Sequence, residues 1–239
     1  ASAKRITVVA PFYGYARQDK KHAGREPISA RLMADLFATA GADRLMSVDL
    51  HTAQIQGFFD GPVDHLFALP ILAAHVGRTV DRSKITVISP DAGRVRVAER
   101  WTDILGAPLA IIHKRRDPDV PNEAKVLEVV GDVKGRICVV VDDMIDTGGT
   151  IVKASEALFE NGASDVIVTA THGVLSPPAS QRLQDSRIRE VVVTDTLPIP
   201  QETRFSNLTV LPIAPLIARA IKEVFDEGSV ASLFDHVGV

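Results

Sequence analysis

The stretch Ile137-Cys138-Val139-Val140-Val141-Asp142-Asp143-Met144-Ile145-Asp146-Thr147-Gly148-Gly149-Thr150 decides how this chain is read. Its continuous apolar, β-branched run indicates a strand covered on both faces, as in a parallel sheet. Two acids follow. A glycine-bearing turn then opens onto an apolar stripe at helical spacing (Ile151, Ala154, Leu158 and Phe159), and Gly162 supplies the stop. Strand, tight turn and helix in that order gather backbone N–H groups around one point, where the helix dipole adds partial positive charge. That arrangement suits a phosphate dianion. Gly148 and Gly149 remove side chains that would block close approach, and Thr147 and Thr150 add hydroxyl donors. No Gly-x-x-x-x-Gly-Lys-Ser/Thr occurs, so the turn is not a Walker A loop. Asp142, Asp143 and Asp146 repel one another at this spacing. Sugar hydroxyls and a divalent cation are natural partners for the first two. A blander reading makes Asp146 a helix cap and Asp142 a solvated strand end; the complete string favours the functional one.

Outward from this segment, further strands are expected at Ile6–Ala10, Arg44–Asp49, Ile85–Ser89, Leu109–His113, Val166–Thr171, Val191–Thr194 and Leu208–Pro212. Helices are expected after Pro27, with Ile28, Leu32, Leu36 and Ala40 at helical spacing up to Gly41, and over Pro215–Glu227, while Val95–Leu105 is an amphipathic run. Strand–helix alternation along the whole length argues an α/β fold with right-handed crossovers. The stretch Asp60–Asp64 reads as a connector at a domain boundary.

The 239 residues suffice for one large domain or two small ones, and 46% hydrophobic with 24% charged residues is a globular composition, not a disordered one. A net charge of -3 does not suggest a nucleic-acid binder. The single cysteine, Cys138, cannot form an internal disulfide, which fits a reducing cytosol. No apolar stretch approaches the ~20 residues of a membrane helix, and Ala1–Arg5 is not laid out as a signal peptide.

The string Asp142–Thr150 resembles the phosphoribosyl-diphosphate (PRPP) binding motif shared by phosphoribosyltransferases and PRPP synthetases. Four further segments resemble the synthetases. Tyr13-Gly14-Tyr15-Ala16-Arg17-Gln18-Asp19, with Arg25–Ser29, is similar to their ATP-binding segment. Asp49-Leu50-His51-Thr52-Ala53-Gln54-Ile55-Gln56-Gly57-Phe58-Phe59 is similar to a metal and nucleotide segment. Ser89-Pro90-Asp91-Ala92-Gly93 is similar to a second metal segment, and His113-Lys114-Arg115-Arg116 to the start of a catalytic loop. The similarity reaches Gly228-Ser229-Val230, so the chain is identified as resembling class I ribose-phosphate pyrophosphokinases of bacterial type.

The resemblance implies a fold of two similar phosphoribosyltransferase-like α/β domains with mainly parallel sheets and flanking helices. The first, residues 1–67 with about 214–239, would be short of its N-terminal part; the second, 68–213, would carry the PRPP motif. It implies the reaction of ATP with ribose 5-phosphate to give PRPP and AMP, with Mg²⁺ as cofactor. Lys114 and Arg116 would stabilise the moving diphosphoryl group. Arg17 and Gln18 would contact ATP. His51 and Asp91, which end two strands and could face one cleft, would serve the metal. Asp142 and Asp143 would hold the ribose hydroxyls, Asp146, Thr147, Gly148, Gly149 and Thr150 the 5-phosphate, and Arg116 would also touch the sugar phosphate. Magnesium prefers oxygen, which makes Asp91 the safer ligand of the two; Asp49 could orient His51. A cytoplasmic homo-oligomer, by resemblance a hexamer, is implied, with no nucleic-acid or membrane partner. His113 and His172 read as structural, and Trp101 as a packing residue.

Two departures from the family pattern stand out. Arg94 follows Gly93 where many members have a second glycine; an arginine there could reach a phosphate or a neighbouring subunit, or narrow the turn. Family members also usually carry a further half-domain ahead of Ala1, so residues are expected to precede it in the natural protein. Two other functions compete. A phosphoribosyltransferase that consumes PRPP would leave Arg17, Gln18, His51, Lys114 and Arg116 without a task. A non-catalytic, synthetase-like regulatory subunit would not need Lys114, Arg116, Asp91, Asp142 and Asp143 intact.

Overall fold

A computed structural model describes residues 2–21, 23–115 and 126–234. The chain divides into two compact units, Ala1–Ala68 with Ala214–Leu233, and Leu69–Ile213 with Phe234–Val239.

The first unit is built on a three-stranded parallel sheet in the order β1 (Thr7–Val9), β2 (Arg44–Val48), β3 (Val63–Leu66). Helix α1 (Ser29–Thr39) connects β1 to β2. Its buried face, Ala30 and Ala34, packs with Tyr13, Leu45, Ile55 and Phe59 into one apolar cluster. Small residues on α1 let the helix lie close to the sheet, and the buried Tyr13 hydroxyl donates to Ala30 O at 2.8 Å. The stretch read as a connector contains the start of β3 instead. Asp64 and His65 are atypical strand residues, and tertiary partners satisfy them. Arg44 Nη1 donates to both carboxylate oxygens of Asp64 at 2.9 Å, and the N–H of Leu50 donates to His65 Nε2 at 2.9 Å.

The second unit holds a seven-stranded sheet. Its strands are β4 (Ile85–Ser89), β5 (Leu109–Arg115), β6 (Val126–Val130), β7 (Ile137–Ile145), β8 (Asp165–Gly173), β9 (Glu190–Thr194) and β10 (Leu208–Leu211), in the order β10-β9-β8-β7-β4-β5-β6. All neighbours are parallel except β5 and β6. The antiparallel edge strand β6 was not expected, because five residues between polar segments carry little signal. Helices α2 (Leu69–Thr79), α3 (Val95–Leu105), α4 (Gly149–Glu160) and α5 (Ala179–Gln184) accompany this sheet, and α6 (Ala214–Phe225) belongs to the first unit. Helix α2 went unread although Pro70 sits in its first turn, where proline is tolerated.

The core follows the β-branched runs. Cys138, Val140, Val166, Val168 and Val191 are fully buried together with Ile151, Ala154 and Leu158 of α4. Full burial of a leucine such as Leu158 contributes about 2 kcal/mol. Trp101 is buried on α3, in keeping with a packing role. The strand β7 runs three residues past Asp142, which pairs with Ala170, while Met144 pairs with His172. The acid pair therefore lies within the strand and not beyond its end. Among the described residues, no helix is long and apolar enough to cross a membrane.

Candidate functional site

The strand order of the larger sheet reverses direction between β4 and β7: from β4 the chain builds outward through β5 and β6, and from β7 through β8, β9 and β10. In open α/β sheets ligands bind outside the carboxyl ends of strands at such a switch point. Asp91 follows β4 there, and Asp142 and Asp143 lie near the end of β7.

The turn from β7 into α4 is shaped by Gly148, which adopts φ +71° as the residue capping the helix. A Cβ at this position would lie 3.3 Å from Cγ of the fully buried Leu183. Only a residue without a side chain meets both demands at no cost. Gly148 O accepts the first helical bond, from Val152 N at 3.0 Å, and the Gly148 cap offers no side-chain hydrogen bond to the helix. The amino end of α4 thus presents backbone donors in the manner of an anion site. Asp146 does not cap α4; that place belongs to Gly148.

One further residue braces this turn. Arg182 on α5 donates from Nη1 to Thr147 O at 2.7 Å, and the same nitrogen would stand 3.0 Å from a Cβ on Gly149. No spacing in the sequence points to Arg182, because only packing of α5 beside the turn brings it there.

The acid pair has a cationic partner. Arg94 Nη2 lies 2.6 Å from Asp143 Oδ1, and Arg94 Nε lies 3.4 Å from Asp142 Oδ1. Asp142 Oδ1 also accepts the Asp143 N–H at 2.8 Å. Burial, and next the neighbouring Asp143 carboxylate, push the Asp142 carboxyl up to about 7, with Arg94 acting in the opposite direction. Asp91 Oδ1 accepts the N–H groups of Gly93 and Arg94 at 2.9 and 3.2 Å, so one carboxylate shapes the turn that carries Arg94.

In the first unit, Arg17 and Gln18 are exposed on the loop after β1. Tyr15 adopts φ 62°, its carbonyl accepts the Gln18 N–H at 2.8 Å, and Gln18 O accepts the N–H of Ala30 at 3.2 Å. The buried Asp19 accepts from Thr52 Oγ1 at 2.5 Å and Gln54 Nε2 at 2.8 Å. It thereby ties the Arg17–Gln18 loop to the segment that carries His51. The sequence contained Asp19 inside a motif but offered no reason to assign it this latch. Asp49 Oδ2 accepts the Ala68 N–H at 2.9 Å. His51 belongs to this first unit and Asp91 to the second. Lys114 lies in β5 opposite Leu127 of β6; Arg116 lies outside the described residues. His172 is buried, with Nδ1 2.8 Å from Thr196 Oγ1.

The donor chemistry fits a hard divalent cation. Magnesium takes oxygen ligands and is held through one or two carboxylates plus substrate phosphates, and the Asp91 carboxylate supplies such oxygens, while the acid pair is already matched by Arg94. Among the described residues, no group of three or more His, Cys, Asp or Glu side chains is gathered as a ready-made cage.

Comparison with known proteins places the chain in context. The family model described as "Phosphoribosyl synthetase-associated domain" matches residues 110–235, and that described as "N-terminal domain of ribose phosphate pyrophosphokinase" matches residues 1–41. The ribose-phosphate pyrophosphokinase of Streptomyces avermitilis is 73% identical over 236 residues, covering 99% of this chain and 73% of that one. The Mycobacterium tuberculosis enzyme of the same name is 63% identical over 235 residues, covering 98% of this chain and 72% of that one. The crystal structure of phosphoribosylpyrophosphate synthetase from Mycobacterium smegmatis superposes with a TM-score of 0.88 at 61% identity, covering 95% of this chain and 74% of that one.

Proposed function

The chain belongs to the ribose-phosphate pyrophosphokinase family, and on that premise we propose that it moves the diphosphoryl group of ATP onto the 1-hydroxyl of ribose 5-phosphate, giving PRPP and AMP. The observation that carries this reading is the meeting of an anion turn and an acid pair at the switch point of the larger sheet, in a chain so close to enzymes of that name.

In this reading the amino end of α4 and the hydroxyls of Thr147 and Thr150 hold the 5-phosphate, with Asp146, Gly148 and Gly149 shaping the turn. Asp142 and Asp143 accept hydrogen bonds from the ribose 2- and 3-hydroxyls. Arg17 pairs with the triphosphate, and Gln18 bonds the nucleoside. The sugar O1 attacks the β-phosphorus. The new O1–P bond forms as the bond from that phosphorus to the α–β bridging oxygen breaks; AMP leaves with that oxygen, and the hydroxyl proton passes to solvent. Lys114 and Arg116 balance the charge that builds on the transferring group and on the departing AMP, the main contribution available to phosphoryl-type transfer. By resemblance, Asp91 would ligate the Mg²⁺ that accompanies the triphosphate, with His51 the weaker candidate because magnesium prefers oxygen; such an ion would supply neutralisation of the phosphate charge. The same reading takes the protein to be a cytoplasmic homo-oligomer, a hexamer by resemblance.

The test is the fate of the nucleotide and the response of Lys114. Wild-type protein with ATP and ribose 5-phosphate is expected to form AMP and PRPP in equal amounts, and Lys114→Ala to lower turnover at least a hundredfold with ribose 5-phosphate affinity within threefold. Consumption of PRPP with a free base, with no AMP from ATP, would replace the reading by a transferase. Neither activity would leave a regulatory subunit.

A further inference from the structure

Arg94 occupies a place that neither the anion turn nor the ATP segment accounts for. The turn carrying it is fixed from behind: Asp91 Oδ1 accepts the backbone N–H of Arg94 at 3.2 Å, and Ser89 Oγ donates to Asp91 O at 2.7 Å. From this anchored start the side chain crosses from the end of β4 to β7 and touches both acids, Asp143 at 2.6 Å and Asp142 at 3.4 Å. All three side chains are withdrawn from water: Arg94 is 16% exposed, Asp142 20% and Asp143 8%. At this depth two adjacent carboxylates are costly unless a cation stands with them. A guanidinium is suited to the task, since its planar fork can serve two oxygens at once and it never loses its charge. Each carboxylate offers about four acceptor sites, so pairing with Arg94 still leaves acceptors for hydroxyl donors.

We propose that Arg94 is a tethered counter-cation of the sugar site: it holds Asp142 and Asp143 together as hydroxyl acceptors, so that ribose 5-phosphate is taken up without a divalent cation at the acid pair. The inference rests on the reading of Asp142–Thr150 as the sugar-phosphate site. A mobile divalent ion could neutralise the same two carboxylates, but it would have to be recruited from solution with each sugar. The covalently attached guanidinium is always present and is oriented by the Asp91 turn. Arg94 is a positioning residue in this scheme. It acts through the two acids, and the metal demand of the reaction falls on the ATP side.

The experiment is calorimetric titration of ribose 5-phosphate into the full chain, once in EDTA and once in Mg²⁺. Wild-type protein is expected to bind with dissociation constants within threefold of each other in the two buffers. Arg94→Gly is expected to weaken binding in EDTA by tenfold or more and to regain most of the loss in Mg²⁺. Arg94→Lys, which keeps the charge and loses the fork, is expected to fall between. Wild-type binding that appears only with Mg²⁺ overturns the proposal while leaving the sugar site intact. Arg94→Gly protein that binds in EDTA as well as wild type does the same. Binding in neither buffer overturns the proposal together with the site reading beneath it. Should Arg94→Gly fail to fold, the wild-type pair of titrations and Arg94→Lys decide the matter.

Discussion

Replacing Gly148 by alanine tests the anion turn where its geometry is most constrained. Gly148 sits at φ +71°, a region in which an L-residue pays about 1–2 kcal/mol. The new Cβ would also meet Leu183 Cγ at 3.3 Å, with Cδ2 and Cδ1 at 3.5 and 3.6 Å. Leu183 is fully buried, so its side chain has little room to step aside. The strain can be met in two ways. If the turn holds its shape, the folded state carries the whole cost, and the melting midpoint falls by about 2–8 °C for a chain of this length. If the turn relaxes, the backbone donors at the start of α4 diverge, and ribose 5-phosphate affinity falls by roughly tenfold for each 1.4 kcal/mol of lost interaction. Scanning calorimetry and isothermal titration on the same protein measure the two responses together. Gly148→Asn separates the causes: asparagine tolerates left-handed backbone and regains the torsional part, while its Cβ still presses on Leu183. A Gly148→Ala protein whose melting point and sugar-phosphate affinity both match wild type would refute the reasoning, because the turn would then not need this conformation.

Arg182→Ala removes the donor to Thr147 O. An interaction with a charged donor contributes about 1.5–3 kcal/mol, so ribose 5-phosphate affinity should fall about tenfold or more by equilibrium binding, with partial recovery in Arg182→Lys. The Asp142 carboxyl, raised by burial and by Asp143 from 3.8 to about 7, keeps its proton in the folded chain where the unfolded chain has released it. Its stabilising contribution is therefore full below pH 4 and drains away as pH rises toward 7, by up to about 1.4 kcal/mol per pH unit. Asp142→Asn should lose that slope and gain in relative melting temperature between pH 5 and pH 8, as thermal melts at the two pH values would reveal. The Cys138 thiol is fully buried and pushed up to about 12 by that burial. Iodoacetamide should leave it unmodified in native protein over hours at pH 8 and alkylate it fully in denaturant, as intact mass would show.

The larger sheet was legible because its central strands are covered on both faces. Full coverage writes itself into the chain as runs such as Ile137–Val141, and the helix that follows declares itself through Ile151, Ala154 and Leu158. Val63–Leu66 was not legible as a strand, since Asp64 and His65 become acceptable there only through Arg44 and the Leu50 backbone. Among the described residues β6 ends the sheet beside β5, and its five residues were likewise not legible as a strand. At the site, the order of strand, glycine-bearing turn and helix could be read, because a β-branched run, two glycines and an apolar helical stripe suffice to mark it. Arg94 was visible as an irregularity, with its partner unknown. Arg182 and the latch at Asp19 were silent, since each acts through residues far away along the chain.

By itself, then, the sequence determined the α/β architecture, the glycine-bearing turn into α4 and the kinship with PRPP synthetases, because these depend on local periodicity, on glycine's backbone freedom and on contiguous strings of residues. Tertiary structure alone decided which charges meet: Arg94 with Asp142 and Asp143, Arg182 with Thr147, Asp19 with Thr52 and Gln54. Local patterns carry no information about such pairs. Their partners are selected by strand order and by the way helices pack on the sheet, and a charge is tolerated at depth only where that packing delivers its counterpart.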